Sequence, residues 1–223
     1  KIPFLYCETE NLKENKAVKN KKTILKKAKK VVVLAKTGKA LDKKLYGANA
    51  VRVTGPAVWV EHFGHARPTC FKKENNILAA GKLTKTGGFD VLIKAWAKLA
   101  VLHPSWHLTI VGDGPSKTSL KKFIEKNNLS ASTEIMPAGC DLYGLMRNAD
   151  IYVNSAREAE GLNELLDAMA SKLPVVATNV KGADELVQDR VNGLLVNAGD
   201  EESLQAALDE LMVNWGHRVG LAV

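Results

Sequence analysis

From Asn75 onward the apolar positions follow two alternating rhythms. Short unbroken runs recur at residues 77–81, 106–111, 134–136, 151–153, 174–177 and 193–196. Their length and branched content suit strands covered on both faces. Between them apolar residues return every three or four positions. Leu92, Ile93, Trp96 and Leu99 form one stripe in 89–102, which Pro104 ends. Leu120, Phe123 and Ile124 form a second in 116–127, and Leu162, Leu165, Leu166 and Met169 a third after Gly161. Such spacing predicts helices, and further ones are expected over 141–148, 183–188 and 200–213. Strands alternating with helices in one run predict an α/β fold, a doubly wound parallel sheet of Rossmann-like type. Ligands of such sheets bind beyond the carboxyl ends of the strands.

The first part of the chain is less regular. Residues 2–6, 31–35 and 50–53 read as strands, 18–30 and 37–46 as helices. Residues 53–63 have the character of a linker and 64–76 are loose and polar. Two domains are expected, an incomplete α/β piece over 1–63 and a complete one over 64–223. No internal repeat is evident.

Composition narrows the function. The chain has 223 residues, 46% hydrophobic and 25% charged. No apolar run reaches the ~20 residues of a membrane span, and the start resembles no signal peptide. Three scattered cysteines, Cys7, Cys70 and Cys140, suit a reducing compartment and no metal site. His62 and His65 are three apart with no third ligand near, so they are not read as a metal pair. A cytoplasmic protein is expected. Net charge is +8, but residues 1–50 hold 14 Lys against 4 Asp and Glu and carry +10, leaving −2 for the rest. The plain reading of Lys13 to Lys44 is a solvated lysine-rich face. A sharper one is peripheral contact with an inner membrane face or an anionic acceptor. Nucleic acid is not expected, since the run lacks Arg and interleaved aromatics.

The chemistry concentrates in residues 150–178. An apolar run, 151–153, enters an acidic loop, a helix follows, and a second run leaves it at Pro174. The loop lies at a strand's carboxyl end and a helix's amino end, where free N–H groups and the helix dipole favour a phosphate. Glu160 before the helix and Asp167 within it add acids able to grip hydroxyls. A nucleotide sugar is the ligand these features suggest.

Glu160-Gly161-Leu162, Asp167-Ala168-Met169-Ala170 and Pro174-Val175-Val176-Ala177-Thr178 resemble the donor-binding signature of glycosyltransferase family 4, retaining enzymes of the GT-B fold. Gly81-Lys82-Leu83 with Gly88-Phe89-Asp90 is similar to that family's diphosphate segment, and Gly112-Asp113-Gly114-Pro115 to its Gly-x-Gly-Pro turn. The linker framework around Pro56 and Phe63 is similar too. The resemblance implies a GT-B donor domain over most of the chain, with the end of the acceptor-side domain before it. It implies that Lys82 and Glu160 serve catalysis, Lys82 by offsetting charge on the leaving diphosphate. It implies a donor site drawn from Gly81, Lys82, Gly112, Gly114, Pro115, Gly139, Glu158, Glu160, Gly161, Leu162, Asn163 and Asp167. Asp167 would hold the ribose and Glu160 the sugar, with Glu158 as a rival because the loop is one residue short. Backbone of residues 137–140 would meet the base. Neither metal nor cofactor is expected, because cationic side chains and dipoles take that role. The departures are Lys82 for Arg, Gly87 for Lys, Asp167 for Glu, Ala57 for Gly, Trp59 for Asp, and Lys172 and Lys181 for Gly.

Three readings follow. The chain is a glycosyltransferase acting on a carbohydrate, lipid-linked or other acceptor. Without an initiator Met or a counterpart of the first half of the acceptor domain, it would be one piece of a longer enzyme or need a separate acceptor-domain chain. Alternatively it is an inactive nucleotide-sugar-binding or scaffold protein, or a basic membrane-surface module.

Overall fold

In a computed structural model, the residues described are the strands β1 (Leu5–Glu8), β2 (Lys30–Val33) and β3 (Val51–Val53), and residues 75–222. The chain divides into two compact units, Lys1–Ala57 and Val58–Val223. In the first, β1, β2 and β3 form a parallel sheet in that order. Lys30, expected to close a helix, is the first residue of β2. The helices expected over 18–29 and 37–46, the linker, His62, His65 and most of the lysine-rich segment lie outside the described residues.

The second unit is a six-stranded sheet, all parallel, in the order β6-β5-β4-β7-β8-β9. The strands are β4 (Asn76–Ala80), β5 (His107–Val111), β6 (Thr133–Met136), β7 (Ile151–Asn154), β8 (Val175–Thr178) and β9 (Leu194–Val196). The helices are α1 (Phe89–Leu102), α2 (Lys117–Lys126), α3 (Leu142–Asn148), α4 (Leu162–Ala170), α5 (Glu201–Val213) and α6 (Trp215–Leu221).

Alternation along the strands feeds two cores, since successive side chains point to opposite faces. Ile77 and Ala79 of β4 join Ile151 and Val153 of β7 beneath α1, α2, α5 and α6. Leu78, Ala80 and Tyr152 join Leu165, Ala168 and Met146 beneath α3 and α4. β4, β7 and β8 are buried along nearly their whole length. This two-sided burial accounts for their unbroken apolar runs. Trp96 of α1 is the largest fully buried side chain of the first core.

Two expectations need correction. Residues 183–188 form turns rather than a helix. Ala183 and Leu186 N–H bond three residues back, to Val180 and Ala183 carbonyls, and Asn192 intercepts the rest. Its amide donates to Leu186 O at 3.1 Å and its carbonyl accepts from Gln188 N at 2.7 Å, so that a single helical bond remains, from Val187 N to Ala183 O at 2.8 Å. A side chain that satisfies local backbone groups competes with the helical ladder in this way. Secondly, a helix, α6, follows Val213, started by Asn214, whose side chain accepts from His217 N. Among the described residues no helix is long and apolar enough to cross a membrane.

Candidate functional site

β4 and β7 are neighbours, yet the chain leaves them in opposite directions. From β4 it runs through α1 to β5, and from β7 through α4 to β8. The strand order therefore reverses between them, and the crevice at their carboxyl ends is where such sheets bind ligands. Its walls include Gly81, Lys82, Gly87, Asn154, Ser155, Glu160 and Gly161.

The loop after β4, residues 81–88, is fastened to the loop after β7, residues 155–161. Arg157 N donates to Thr86 O at 2.7 Å, and its guanidinium reaches Lys85 O at 2.8 Å. The same guanidinium forms a bidentate pair with Asp90 at 2.6 and 2.8 Å. That pairing holds the Asp90 carboxyl below the usual carboxylate range. Ser155 Oγ donates to Gly87 O at 3.2 Å. Glu160 closes the circuit, accepting from Thr84 Oγ1 at 3.1 Å and Thr86 Oγ1 at 2.8 Å.

The strand end that launches the second loop is itself polar. Asn154 is buried, its amide donates to the carbonyls of Glu160 and Gly161 at 3.0 Å each, and its oxygen accepts from Ala156 N at 3.1 Å. Thr178 of β8 adds a 2.6 Å bond to Ala156 O. Below them Tyr152 donates its hydroxyl to Ala80 O at 3.3 Å. Burial pushes that phenol far above its ordinary range, helped by the charges of Glu164 and Asp167, so it stays a neutral donor.

Two helices start beside the crevice. Gly88 precedes α1 at φ 68° and Gly161 precedes α4 at φ 70°, and neither start has a side-chain cap. The left-handed backbone at both positions favours glycine, and bare N-termini carry partial positive charge and free N–H groups. Lys82, exposed on the same wall, adds a full charge. An acceptor carboxylate, a lysine and two helix starts without side-chain caps suit an anion lying beside a hydroxyl-bearing group.

Of the residues expected at a donor site, Gly81, Lys82, Glu160 and Gly161 meet in this crevice. Glu160, not Glu158, reaches the loop after β4, while Glu158 is exposed and its carbonyl accepts from Glu160 N at 2.7 Å. Leu162 and Asn163 form the first turn of α4, and Asp167 sits half-buried farther along it. Gly112, Gly114 and Pro115 lie in the next loop along the same edge. A Cβ on Gly112 would overlap Gly81 O, and one on Gly114 would overlap Leu83 O. These glycines let two loops touch, sealed by Gly81 N to Val111 O and Leu83 N to Asp113 O at 3.0 Å each. Gly139 is exposed in the loop after β6, where a Cβ would meet nothing. That loop is held by Asp113, which accepts from Ala138 N at 3.0 Å.

Sequence reasoning missed Thr84, Thr86, Asn154 and Arg157 as parts of the site. Asn154 left a signal, a polar residue ending the buried run Ile-Tyr-Val directly before an acidic loop. The other three act across the crevice, which no local pattern reports. Among the described residues no cluster of three His, Cys, Asp or Glu is placed to hold a metal.

The model of the family described as "Glycosyl transferases group 1" matches residues 60–221. An uncharacterized glycosyltransferase of Haemophilus influenzae is 31% identical over 189 residues, 83% of this chain and 52% of that protein. The amylovoran biosynthesis glycosyltransferase AmsD of Erwinia amylovora is 30% identical over 192 residues, 84% of this chain and 53% of its own. The chain thus spans about half the length of these relatives. Among solved structures, Anabaena HepE in complex with UDP-glucose superposes with a TM-score of 0.84 at 19% identity, covering 99% of this chain and 65% of that one. The C-terminal domain of LpcC, a group 1 family glycosyl transferase of Francisella tularensis, gives 0.65 at 23% identity, covering 74% and 93%. At these identities the likeness is one of fold, and that fold is GT-B.

Proposed function

The chain belongs to the group 1 glycosyl transferases, and on that premise we propose that the β4–β7 crevice binds a nucleoside diphosphate sugar and serves transfer of its sugar to a carbohydrate, lipid-linked or other acceptor. The observation that carries this reading is the pairing of two uncapped helix starts, at Gly88 and Gly161, with Lys82 at the switch point. A diphosphate set there meets backbone N–H groups from both sides and one ammonium. As the glycosidic bond breaks, charge grows on the leaving diphosphate, and these preorganised donors stabilise it without reorganising. Glu160 accepts from sugar hydroxyls and Asp167 from the ribose. The motif resemblance favours membership of family 4 and transfer with retained anomeric configuration.

The domain division at residue 63, a cytoplasmic location and the supply of the acceptor-side half belong to the same reading. That half is more of the same protein or a separate chain. UDP-glucose in HepE makes UDP the first nucleotide to try.

The test is a thermal shift with UDP, GDP and ADP, on the chain as it stands and on Asp167→Ala. A ligand at about 100 times its Kd adds ~2.7 kcal/mol, a rise of several degrees. One nucleotide should raise Tm, and the variant should lose the rise. No rise with any of the three overturns the donor site. In a reconstituted transfer assay Lys82→Ala should lower kcat, and unchanged turnover removes Lys82 from the mechanism.

A further inference from the structure

We propose that Thr84 and Thr86 are positioning residues that present the Glu160 carboxylate to the sugar of the donor, so that they govern sugar affinity and leave nucleotide affinity unchanged; this rests on the donor-site reading above. The hydrogen bonding around Glu160 assigns the protons. Gly87 N donates to Thr84 Oγ1 at 3.1 Å, which fixes that oxygen as an acceptor with one proton left to give. Thr86 Oγ1 is 2.8 Å from Glu160 Oε1, and Thr84 Oγ1 is 3.1 Å from Oε2. The two hydroxyls also lie 2.9 Å apart, and Lys82 O, at 3.5 Å from Thr84 Oγ1, is a longer and weaker alternative acceptor. Were Thr84 to give its proton to Thr86, Oε2 would lose its donor. With one proton to each carboxylate oxygen, both oxygens and the Gly87 N–H are satisfied.

Such a carboxylate is an acceptor only, with lone pairs left on each oxygen. Glu160 lines the crevice, so a group meeting those lone pairs must donate. Sugar hydroxyls donate and phosphate oxygens do not. The crevice thus divides into a hydroxyl-reading side at Glu160 and an anion side at Lys82 and the helix starts. The backbone of Glu160 is already fixed by Asn154, at 3.0 Å. Only its side chain remains to be aimed, and the threonines do that.

The residue at 87 supports the division. A Cβ there would lie 2.7 Å from Lys82 O and 3.0 Å from the Phe89 ring, so a side chain at that point would force the loop to shift. No cation from position 87 reaches Glu160. Neutral hydroxyls hold it instead and leave its charge for the substrate.

The experiment compares each nucleotide with its sugar derivative by calorimetry on this chain. The pairs are UDP with UDP-glucose, GDP with GDP-mannose and ADP with ADP-glucose. In the pair that binds, the sugar should tighten binding, and Thr84→Val/Thr86→Val should cancel that gain, about tenfold or more, as for a charged hydrogen bond. The Kd of the bare nucleotide should stay the same. Thr84→Ser/Thr86→Ser keeps both hydroxyls and should keep the gain. Since Thr84 also accepts from Gly87 N, Thr86→Val alone provides a variant that leaves that bond intact. In a Glu160→Gln background the Val changes should add nothing, because their effect runs through the carboxylate. Equal weakening of nucleotide and nucleotide sugar would show a merely structural role and overturn the proposal, as would an unchanged sugar gain. A wild-type chain that binds a nucleotide but gains nothing from the sugar also overturns it and leaves the donor site standing. Binding of none of the six ligands overturns the donor site and the proposal together.

Discussion

Of the five helices that follow strands at one edge of the sheet, four start in two different ways. At the margins α3 and α5 begin on aspartates. Asp141 accepts from Gly144 N at 2.9 Å, and Asp200 accepts from Ser203 N at 3.0 Å. At the centre α1 and α4 begin on left-handed glycines with no side-chain cap. A cap is worth about 1 kcal/mol, so the centre forgoes stability that the margins take. α2 stands between these cases, with no side-chain cap on Ser116 but with Ser116 N tied to Leu83 O at 2.9 Å. Where the chain satisfies its own amides it leaves no room for an anion. Where it leaves them bare it also supplies Lys82 and a braced carboxylate. Helix ends of one architecture thus divide into closed structural ones and open ones gathered at the switch point.

The strongest way to break the comparison is to add a side chain at a central start. A Cβ on Gly88 would overlap the carbonyl of Ser155, on a backbone at φ 68°. Gly88→Ala should therefore cost well over 3 kcal/mol, since backbone must move as well as adopt a costly conformation. Gly199, at φ 77° with nothing within 4 Å, makes the control. Gly199→Ala should cost only ~1 kcal/mol, the left-handed penalty alone. Urea denaturation of both measures the difference, and equal costs would mean that the two crevice loops are not in contact.

Next comes Asn154. Asn154→Leu removes three hydrogen bonds at a buried strand end and leaves the Ala156 N–H and two carbonyls to find other partners. A loss of about 2–3 kcal/mol is expected. Nucleotide binding should fall as well, because the same bonds fix the start of α4. At the margin, Asp200→Ala should cost about 1 kcal/mol and leave nucleotide affinity untouched. A change in that affinity would place α5's start in the site and erase the division between centre and margin.

Much of this contrast could be read in the sequence. The six strands and five of the six helices of the second unit were legible, most plainly β4, β7 and β8, where burial on both faces forces unbroken apolar runs, and the helices whose one-sided packing forces stripes. Gly88 and Gly161 are legible as loop-to-helix punctuation, whereas Asp141 and Asp200, expected as the first residues of their helices, are the caps before them. Residues 183–188 misled because Leu186 and Val187 mimic a stripe, while Asn192, six residues past Leu186, decides their conformation. α6 was missed because its seven residues, with Gly216 and Gly220 among them, carry little periodic signal. Thr84 and Thr86 were illegible for a different reason. Their partner Glu160 is 76 and 74 residues away, and a hydroxyl pair in a turn looks like any other. Gly112 and Gly114 were legible as a turn, but the loop that packs against them, through Gly81 O and Leu83 O, was not.

The smallest expected effect concerns the acid of α1 itself. Asp90 lies in the first turn, where a carboxylate could offset the bare helix start. Its main partner is Arg157, at 2.6 and 2.8 Å, with a smaller contribution from its own backbone N–H. Arg157 depresses the Asp90 pKa, with burial opposing it. A depressed carboxylate contributes stability above the unfolded pKa, near 3.9, and loses it as pH falls through the lower folded value. Side-chain exposures of 44% for Asp90 and 30% for Arg157 limit that contribution to at most about 1 kcal/mol. Asp90→Asn should therefore destabilise slightly at pH 7, and the gap to wild type should close as the pH is lowered past 3.9. Arg157→Gln should lose the same pH-dependent part but keep a residual gap at low pH, because the guanidinium also donates to Lys85 O at 2.8 Å. If Asp90→Asn weakens the chain while Arg157→Gln does not, the carboxylate serves the helix start and not the clasp. α1 would then be closed by its own acid, and α4 would be left as the open end.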